Sequence, residues 1–262
     1  MSSDTIKIGV VGCNGRVGKL IIAELLSGDW DDHGLELSGG SARNIEDQNS
    51  SFFITNNEEE LFEKSDVIID FTLPEAIENH AKLAVKHKAT LIVGTTGLTQ
   101  NDEEMLKSAA KETSIIYSAN MSVGVNLLLA LVEQAAARLD PDWDIEIFEA
   151  HHKYKVDAPS GTAIAVGRAA ATGRGNSLEN LADYNRHGHT GAREKGKIGF
   201  SVARGGDVVG EHTAFFYGAG ERLELSHKAT NRSLFAKGAL RAAIWSNNAE
   251  AGLYSMRDVL DL

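Results

Sequence analysis

An apolar run from Ile6 to Val11 passes directly into Gly12-Cys13-Asn14-Gly15-Arg16-Val17-Gly18, and an amphipathic stretch from Leu20 to Leu26 follows, up to Gly28. The run reads as a buried parallel strand and the stretch after it as a helix. Glycines at this spacing permit a tight turn, close approach of a pyrophosphate and tight helix–strand packing. The first turn of the helix would add free N–H groups and a favourable dipole for phosphate. The spacing alone is weak, because a ligand-free βα turn can share it. Its place between a first strand and an amphipathic helix makes dinucleotide binding the stronger reading. Arg16 is placed to help hold phosphate, and Cys13 to pack as a small residue.

The alternation continues. Leu35 to Ser38, Val67 to Phe71, Thr90 to Val93 and Ile115 to Ser118 read as strands, with helices over Glu58 to Lys64, Pro74 to Lys88 and Thr99 to Lys111. Strands alternating with helices predict a parallel sheet covered on both faces, with ligands at the carboxyl ends of its strands. Beyond about Asn120 the pattern changes. Val123 to Leu139 reads as a long apolar helix, Asp144 to Phe148 as a strand, and a second helix runs through Ala171. Lys197 to Arg204, Asp207 to Tyr217 and Arg222 to Ala229 follow without intervening helices, which predicts antiparallel pairing. Ser233 to Trp245 is helical again, and Gly173 to Gly196 is predicted as one long polar loop. The expected fold class is α/β: a Rossmann-type dinucleotide-binding domain of residues 1–121 and 232–262, plus an α+β substrate-binding domain of residues 122–231. The second sheet is expected to be mixed and largely antiparallel, and a hinge between the domains would let substrate and nicotinamide meet.

Charge excludes one class of function. A net charge of −11 is the reverse of a nucleic-acid footprint. Cys13 is the sole cysteine, so neither an internal disulfide nor a cysteine metal site is expected. The absence of a signal-like leader and of any run of spanning length predicts a cytoplasmic protein with no membrane partner.

Cofactor preference is read after the second strand. Gly39-Gly40-Ser41-Ala42-Arg43-Asn44 holds no carboxylate for a ribose hydroxyl, and Arg43 could pair with a 2′-phosphate. NADPH is therefore expected over NADH, with use of both left open. Asp70-Phe71-Thr72 and Gly94-Thr95-Thr96-Gly97 end strands where a nicotinamide ring would lie.

The fifteen residues from Glu149 to Ala163 carry the chemistry: Glu-Ala-His-His-Lys-Tyr-Lys-Val-Asp-Ala-Pro-Ser-Gly-Thr-Ala. They follow a strand, turn through Pro159 and open an apolar helix. His151 and Lys155 would lie just past the strand end and serve proton transfer or hold a carboxylate. Ser160, Gly161 and Thr162 can close on a carboxylate through N–H and hydroxyl donors, or simply cap the helix. A metal is the weaker reading of the paired histidines, because adjacent ring vectors diverge and no carboxylate pattern completes the set.

These motifs, together with Arg204-Gly205-Gly206-Asp207-Val208-Val209-Gly210-Glu211-His212-Thr213, resemble the bacterial dihydrodipicolinate (4-hydroxy-tetrahydrodipicolinate) reductase family along nearly the whole chain. The resemblance implies reduction of the cyclic condensation product of aspartate semialdehyde and pyruvate to tetrahydrodipicolinate, on the diaminopimelate route to lysine. It implies hydride delivery to ring C4, with His151 as general acid/base and Lys155 as its substrate-binding partner. It implies substrate contacts from His152, Ser160, Gly161 and Thr162. Cofactor contacts are implied for Gly12, Cys13, Asn14, Gly15, Arg16, Val17, Arg43, Phe71, Gly94, Thr95, Thr96, Ser118, Ala119, Asn120, Met121 and Arg232. A homotetramer built through the second-domain sheet is implied too. Many relatives carry Glu-Arg where this chain has Ala42-Arg43, which weakens the case for NADH, and Met121 stands where some have phenylalanine. Two rivals share the glycine loop: another Rossmann-type dehydrogenase of a small acidic substrate, and a non-catalytic dinucleotide sensor. Neither needs the His-His…Lys…Ser-Gly-Thr run.

Overall fold

In the computed structural model, which describes residues 5–45 and 51–262, the chain divides into two compact units, Met1–Val123 with Arg232–Leu262, and Gly124–Asn231. In chain order the elements are β1 (Ile6–Val11), α1 (Arg16–Leu26), β2 (Leu35–Ser41), β3 (Ile54–Thr55), α2 (Glu58–Glu63), β4 (Val67–Asp70), α3 (Ile77–His87), β5 (Thr90–Val93), α4 (Gln100–Ala109) and β6 (Ser114–Tyr117). They continue with α5 (Val123–Arg138), β7 (Asp144–His151), α6 (Gly161–Gly173), α7 (Leu178–Leu181), β8 (Ala182–Asp183), β9 (Ile198–Arg204), β10 (Gly210–Tyr217), β11 (Arg222–Ala229), α8 (Ser233–Ser246), β12 (Gly252–Tyr254) and α9 (Met256–Val259).

The first unit is a seven-stranded sheet in the order β12-β6-β5-β4-β1-β2-β3, with parallel pairing throughout. The strands are apolar on both faces because both are covered. Side chains alternate across the sheet. Ile69, Ile92 and Ile116 pack with Ile21 and Ile22 of α1, Leu240 of α8 and Met256 of α9. Ile68, Leu91 and Ile115 turn the other way, onto Phe62 of α2, Ile77 of α3 and Leu106 of α4. The strand order reverses direction between β1 and β4. That is the switch point where open α/β sheets bind ligands at their carboxyl ends. The short β3 and β12, which extend the two edges, escaped the sequence reading. A strand of two or three residues is too brief to show a period.

The second unit is a five-stranded sheet in the order β11-β10-β7-β9-β8. Its buried face carries Ile145, Ile147, Ile198, Ala214 and Phe216 against Leu128 and Val132 of α5 and Val166 and Ala170 of α6. The sheet is mixed, and its two antiparallel ladders are among its longest. β10 runs antiparallel to β7 and β11, whereas β7–β9 and β9–β8 are parallel. The expected hairpin of β9 and β10 does not form, because β7 inserts between them and takes a ladder on each side. The predicted long loop at 173–196 also contains structure, α7 and β8. Arg193 pins it, donating to Asp144 (2.7 Å), Glu146 (2.9 Å) and the carbonyls of Ile145 and Lys197. Among the described residues no helix is long and apolar enough to cross a membrane.

Candidate active site

The carboxyl edge of the parallel sheet collects the residues expected to hold the cofactor. Gly12 leaves β1 with φ +66°, a conformation costly for any residue with a Cβ, and a Cβ there would stand 2.8 Å from the Thr72 methyl. A Cβ on Gly18 would run into the Gly12 carbonyl and lie 2.9 Å from Cys13 Cα, so α1 approaches β1 this closely only with glycine there. Gly15 is the N-cap of α1, whose first turn has neither a side-chain cap nor an acidic residue. The leading N–H groups of an 11-residue helix are thus left to an anion, and Gly15, Asn14 and Arg16 are exposed beside them. This cradle fits a dinucleotide pyrophosphate. Val17 is half-buried, while Cys13 is buried with its Sγ against Gly40, which makes it a packing residue. Arg43 is exposed just past β2, on a segment with no acidic residue from Leu37 to Ile45.

Next along the edge, Gly94 packs against the Phe71 ring, which leaves no room for a Cβ. Thr95 is buried and donates to Asp70 Oδ1 at 3.2 Å, whereas Thr96 is exposed. Ser118 Oγ donates to the Asn120 carbonyl (2.8 Å), and Asn120 Oδ1 accepts from the Ser122 N–H (2.9 Å), a self-closed turn that leaves Ala119 exposed. Met121 is wholly buried in the core, with its carbonyl against Gly238, so its side chain shapes the edge from within. Arg232 is exposed at the N-cap position of α8.

The segment expected to carry the catalysis is built on β7. This strand runs to His151 rather than ending at Phe148, so the histidine sits on the sheet instead of past it. Glu149 and His151, two apart, share the buried face. His151 Nδ1 lies 2.6 Å from Glu149 Oε2. Glu149 is completely buried and also accepts from Arg204 (2.8 and 2.9 Å) and from the Ser160 N–H (2.9 Å). Burial alone would raise the Glu149 pKa, but the donors from Arg204, His151 and Ser160 hold it below the usual carboxylate range. It therefore accepts the Nδ1 proton and leaves Nε2 as the titrating atom of His151. Nε2 faces Gly210, where a Cβ would come within 3.0 Å of it. Burial pushes the His151 imidazole down. Glu149 opposes this without overcoming it, and the Lys155 and Arg204 cations add to the lowering.

Lys155 pairs with Asp157 at 2.8 Å and is largely covered. His152 leads the turn between them, with its N–H on the Val208 carbonyl (2.7 Å). Ser160 is the N-cap of α6, accepting from the Ala163 N–H at 3.1 Å. It is buried, with its N–H engaged by Glu149 and its hydroxyl 3.1 Å from His212 Nε2, so it braces the site where a substrate contact was expected. Gly161 is exposed, and a Cβ there would meet nothing within 4 Å, which leaves open space at the first turn of α6; Thr162 follows, half-buried. The first turn of this 13-residue helix carries no acidic residue. No cluster able to hold a metal occurs among the described residues.

Three contributors had no assigned role from sequence. Glu149 could have been found from its i, i+2 spacing to His151 on one strand. Arg204 and His212 lay inside a quoted motif, but only strand register brings them here: Arg204 aligns with His151, and His212 with Glu149. The His212 and His151 rings meet edge to face at 5.1 Å. Burial, with His151 nearby, pushes His212 down to about 4, so it is neutral.

Two family models match the sequence, "Dihydrodipicolinate reductase, N-terminus" over residues 6–121 and "Dihydrodipicolinate reductase, C-terminus" over residues 124–260. A 4-hydroxy-tetrahydrodipicolinate reductase of Zymomonas mobilis is 48% identical over 98% of this chain and 98% of its own length. One from Pseudomonas fluorescens is 45% identical, covering 98% and 99%. Among solved structures, a dipicolinate-bound dihydrodipicolinate reductase of a Paenisporosarcina species superposes with TM-score 0.79 at 23% identity, covering 96% of this chain and 97% of that one. An aspartate dehydrogenase of Thermotoga maritima also shares the fold, with TM-score 0.52 at 13% identity, covering 90% and 94%.

Proposed function

The chain belongs to the dihydrodipicolinate reductase family of oxidoreductases, and from that premise we propose that it reduces 4-hydroxy-tetrahydrodipicolinate to tetrahydrodipicolinate with NADPH, accepting NADH less well. The observation that carries the chemistry is the Glu149-held His151 on the strand that leads into the open N-terminus of α6.

A bound nicotinamide supplies the hydride for ring C4. The rest of the work falls to the chain. Gly161 and Thr162, at the start of α6, bind one carboxylate through helix N–H groups and dipole. Lys155 and His152 bind the other, with Lys155 leaving Asp157 to do so. The C4 hydroxyl leaves as water, which gives the conjugated dihydrodipicolinate ring; hydride arrival at C4 then leaves negative charge on that ring, which must be protonated. His151 holds that proton at Nε2, while Glu149 fixes the tautomer and stabilises the imidazolium. A substrate with two carboxylates raises the lowered His151 pKa on binding, so the acid form is populated when substrate is present. Ser160, Arg204 and His212 position this pair without touching substrate.

NADPH is favoured by Arg43 and by the lack of a carboxylate around it. The first unit would serve as the dinucleotide-binding domain and the second as the substrate and assembly domain. A homotetramer through the second sheet is supported by its outer face, where Phe148 and Tyr217 are exposed and Phe215 stacks on Tyr217. The test is a coupled assay. Substrate is generated from pyruvate and aspartate semialdehyde by the preceding synthase, and loss of NADPH and NADH absorbance is followed separately. Oxidation that depends on the synthase product supports the reading. No oxidation with either nucleotide, by folded protein, sinks it.

A further inference from the structure

Behind the cofactor edge lies a second polar cluster. Asp70, the last residue of β4, is fully buried. Its Oδ1 accepts from the Thr72 N–H (2.7 Å), the Thr72 hydroxyl (2.7 Å) and the Thr95 hydroxyl (3.2 Å). Its Oδ2 faces Nδ1 of His80 at 2.7 Å. His80, on α3, is also fully buried, and its Nε2 lies 3.1 Å from Glu58 Oε1 at the start of α2. Asn79 holds the other oxygen of Glu58 at 2.9 Å. One carboxylate thus joins the loops after β4 and β5, and through the Thr72 methyl it reaches Gly12, the first glycine of the nucleotide loop.

We propose that Asp70, His80 and Glu58 form a buried relay that positions Thr72 and Thr95 for the nicotinamide half of the cofactor, with His80 acting through Asp70 and never touching the ligand. This rests on reading the carboxyl edge as a dinucleotide site. The physical argument is charge balance. A buried carboxylate keeps its charge only if donors and a cation compensate it. Two threonines supply donors and the imidazolium supplies the cation. Loss of the Nε2 proton would set a lone pair against Glu58, release that carboxylate, and leave Asp70 balanced by hydrogen bonds alone. The two threonine loops would then loosen. Burial alone would lower the imidazole pKa, but the hydrogen bond to Asp70 and the neighbouring Glu58 carboxylate raise it to about 9. The charged groups facing the ring are Asp70 from β4 and Glu58 from α2, and Phe62 of α2 lies 6.0 Å away, centroid to centroid. The neighbouring α2–α3 pair, Glu59 with Lys86 and His87, lies farther along α3, beyond His80. The helical turn at Pro74–Ala76, α4 and β5 complete the packing around α3, with Thr95 after β5 acting through Asp70.

The test measures the dissociation constant of NADPH for the whole protein by fluorescence titration from pH 6.5 to 10. For the wild type, about a tenfold loss of affinity centred near pH 9 is expected. Glu58→Gln, at a partly exposed position, removes one anionic partner and should move that step to lower pH. His80→Asn keeps an N–H towards Asp70 but supplies no cation, so it should abolish the step and bind NADPH across the range about as weakly as the wild type does above pH 9. The substrate KM at saturating NADPH should stay unchanged in both. Identical pH profiles for folded wild type and Glu58→Gln, or no step in the wild type, would overturn the relay. Failure of the wild type to bind NADPH or NADH at any pH would overturn the underlying dinucleotide reading.

Discussion

Arg204 closes a two-pronged ion pair on Glu149, at 2.8 and 2.9 Å, although 55 residues separate them. The parallel pairing of β7 with β9 sets Arg204 beside His151, and the guanidinium reaches back one pleat to the carboxylate. Glu149 is thereby shared between a permanent cation and the imidazole it orients. Because Arg204 neutralises it, Glu149 lowers the cost of burying charge without raising the His151 pKa above its ordinary value.

Glu149→Gln tests that division. The amide can donate to Nδ1 as well as accept from it, so the His151 tautomer is no longer fixed. Turnover should fall about a hundredfold. Arg204 would lose its buried counter-ion, at a cost of about 3–5 kcal/mol. Kinetics and thermal melts together check both, and an unchanged kcat in folded protein would remove Glu149 from the mechanism.

Lys155→Ala should raise the substrate KM by about tenfold or more, the worth of a charged hydrogen bond, and leave the cofactor KM alone. Asp157→Ala serves as the control. Asp157 is half-exposed, so breaking its pair with Lys155 should cost under about 1 kcal/mol and should not impair substrate binding. Equal losses in both variants would mean that the pair, rather than the free ammonium, is the working form.

Stability should decline on both sides of a near-neutral maximum. The His80 pKa is raised in the folded state to about 9. Its contribution is therefore complete below about pH 6.5 and lost as pH rises through about 9. His212 is depressed to about 4. The unfolded chain takes up that proton first, so stability falls as pH drops from about 6.5 towards 4. Melting temperature against pH, with His80→Asn flattening the alkaline limb, checks the assignment.

Arg43→Ala should weaken NADPH by about tenfold, the scale of one charge-assisted bond, while NADH binding is unchanged. Parallel titrations with the two nucleotides decide it, and equal effects on both would take the 2′-phosphate contact away from Arg43.

Gly18→Ala should cripple cofactor binding and cost stability, because the added methyl would strike the Gly12 carbonyl and the Cys13 backbone, which are not free to move. A melt and an NADPH titration suffice, and an unaltered nucleotide affinity would show that the loop yields.

Local pattern by itself determined the parallel sheet, the glycine turn and the chemical character of the 149–163 run. Apolar periodicity, glycine placement and helix-start residues are short-range signals, and each acts on its neighbours. Resemblance added the family, and with it the expected substrate. Register and burial belonged to the tertiary structure. The alternation of β7 could have flagged Glu149, but nothing local could show that β7 inserts between β9 and β10. That insertion made half the pairings of the second sheet parallel and brought Arg204 and His212 to His151. His80 is the clearest case. Inside an ordinary amphipathic helix it carries no motif, and only the packing of α3 on β4 and α2 traps it between two carboxylates. Charge balance in a buried cluster depends on groups far apart in sequence, so only the folded chain could decide it.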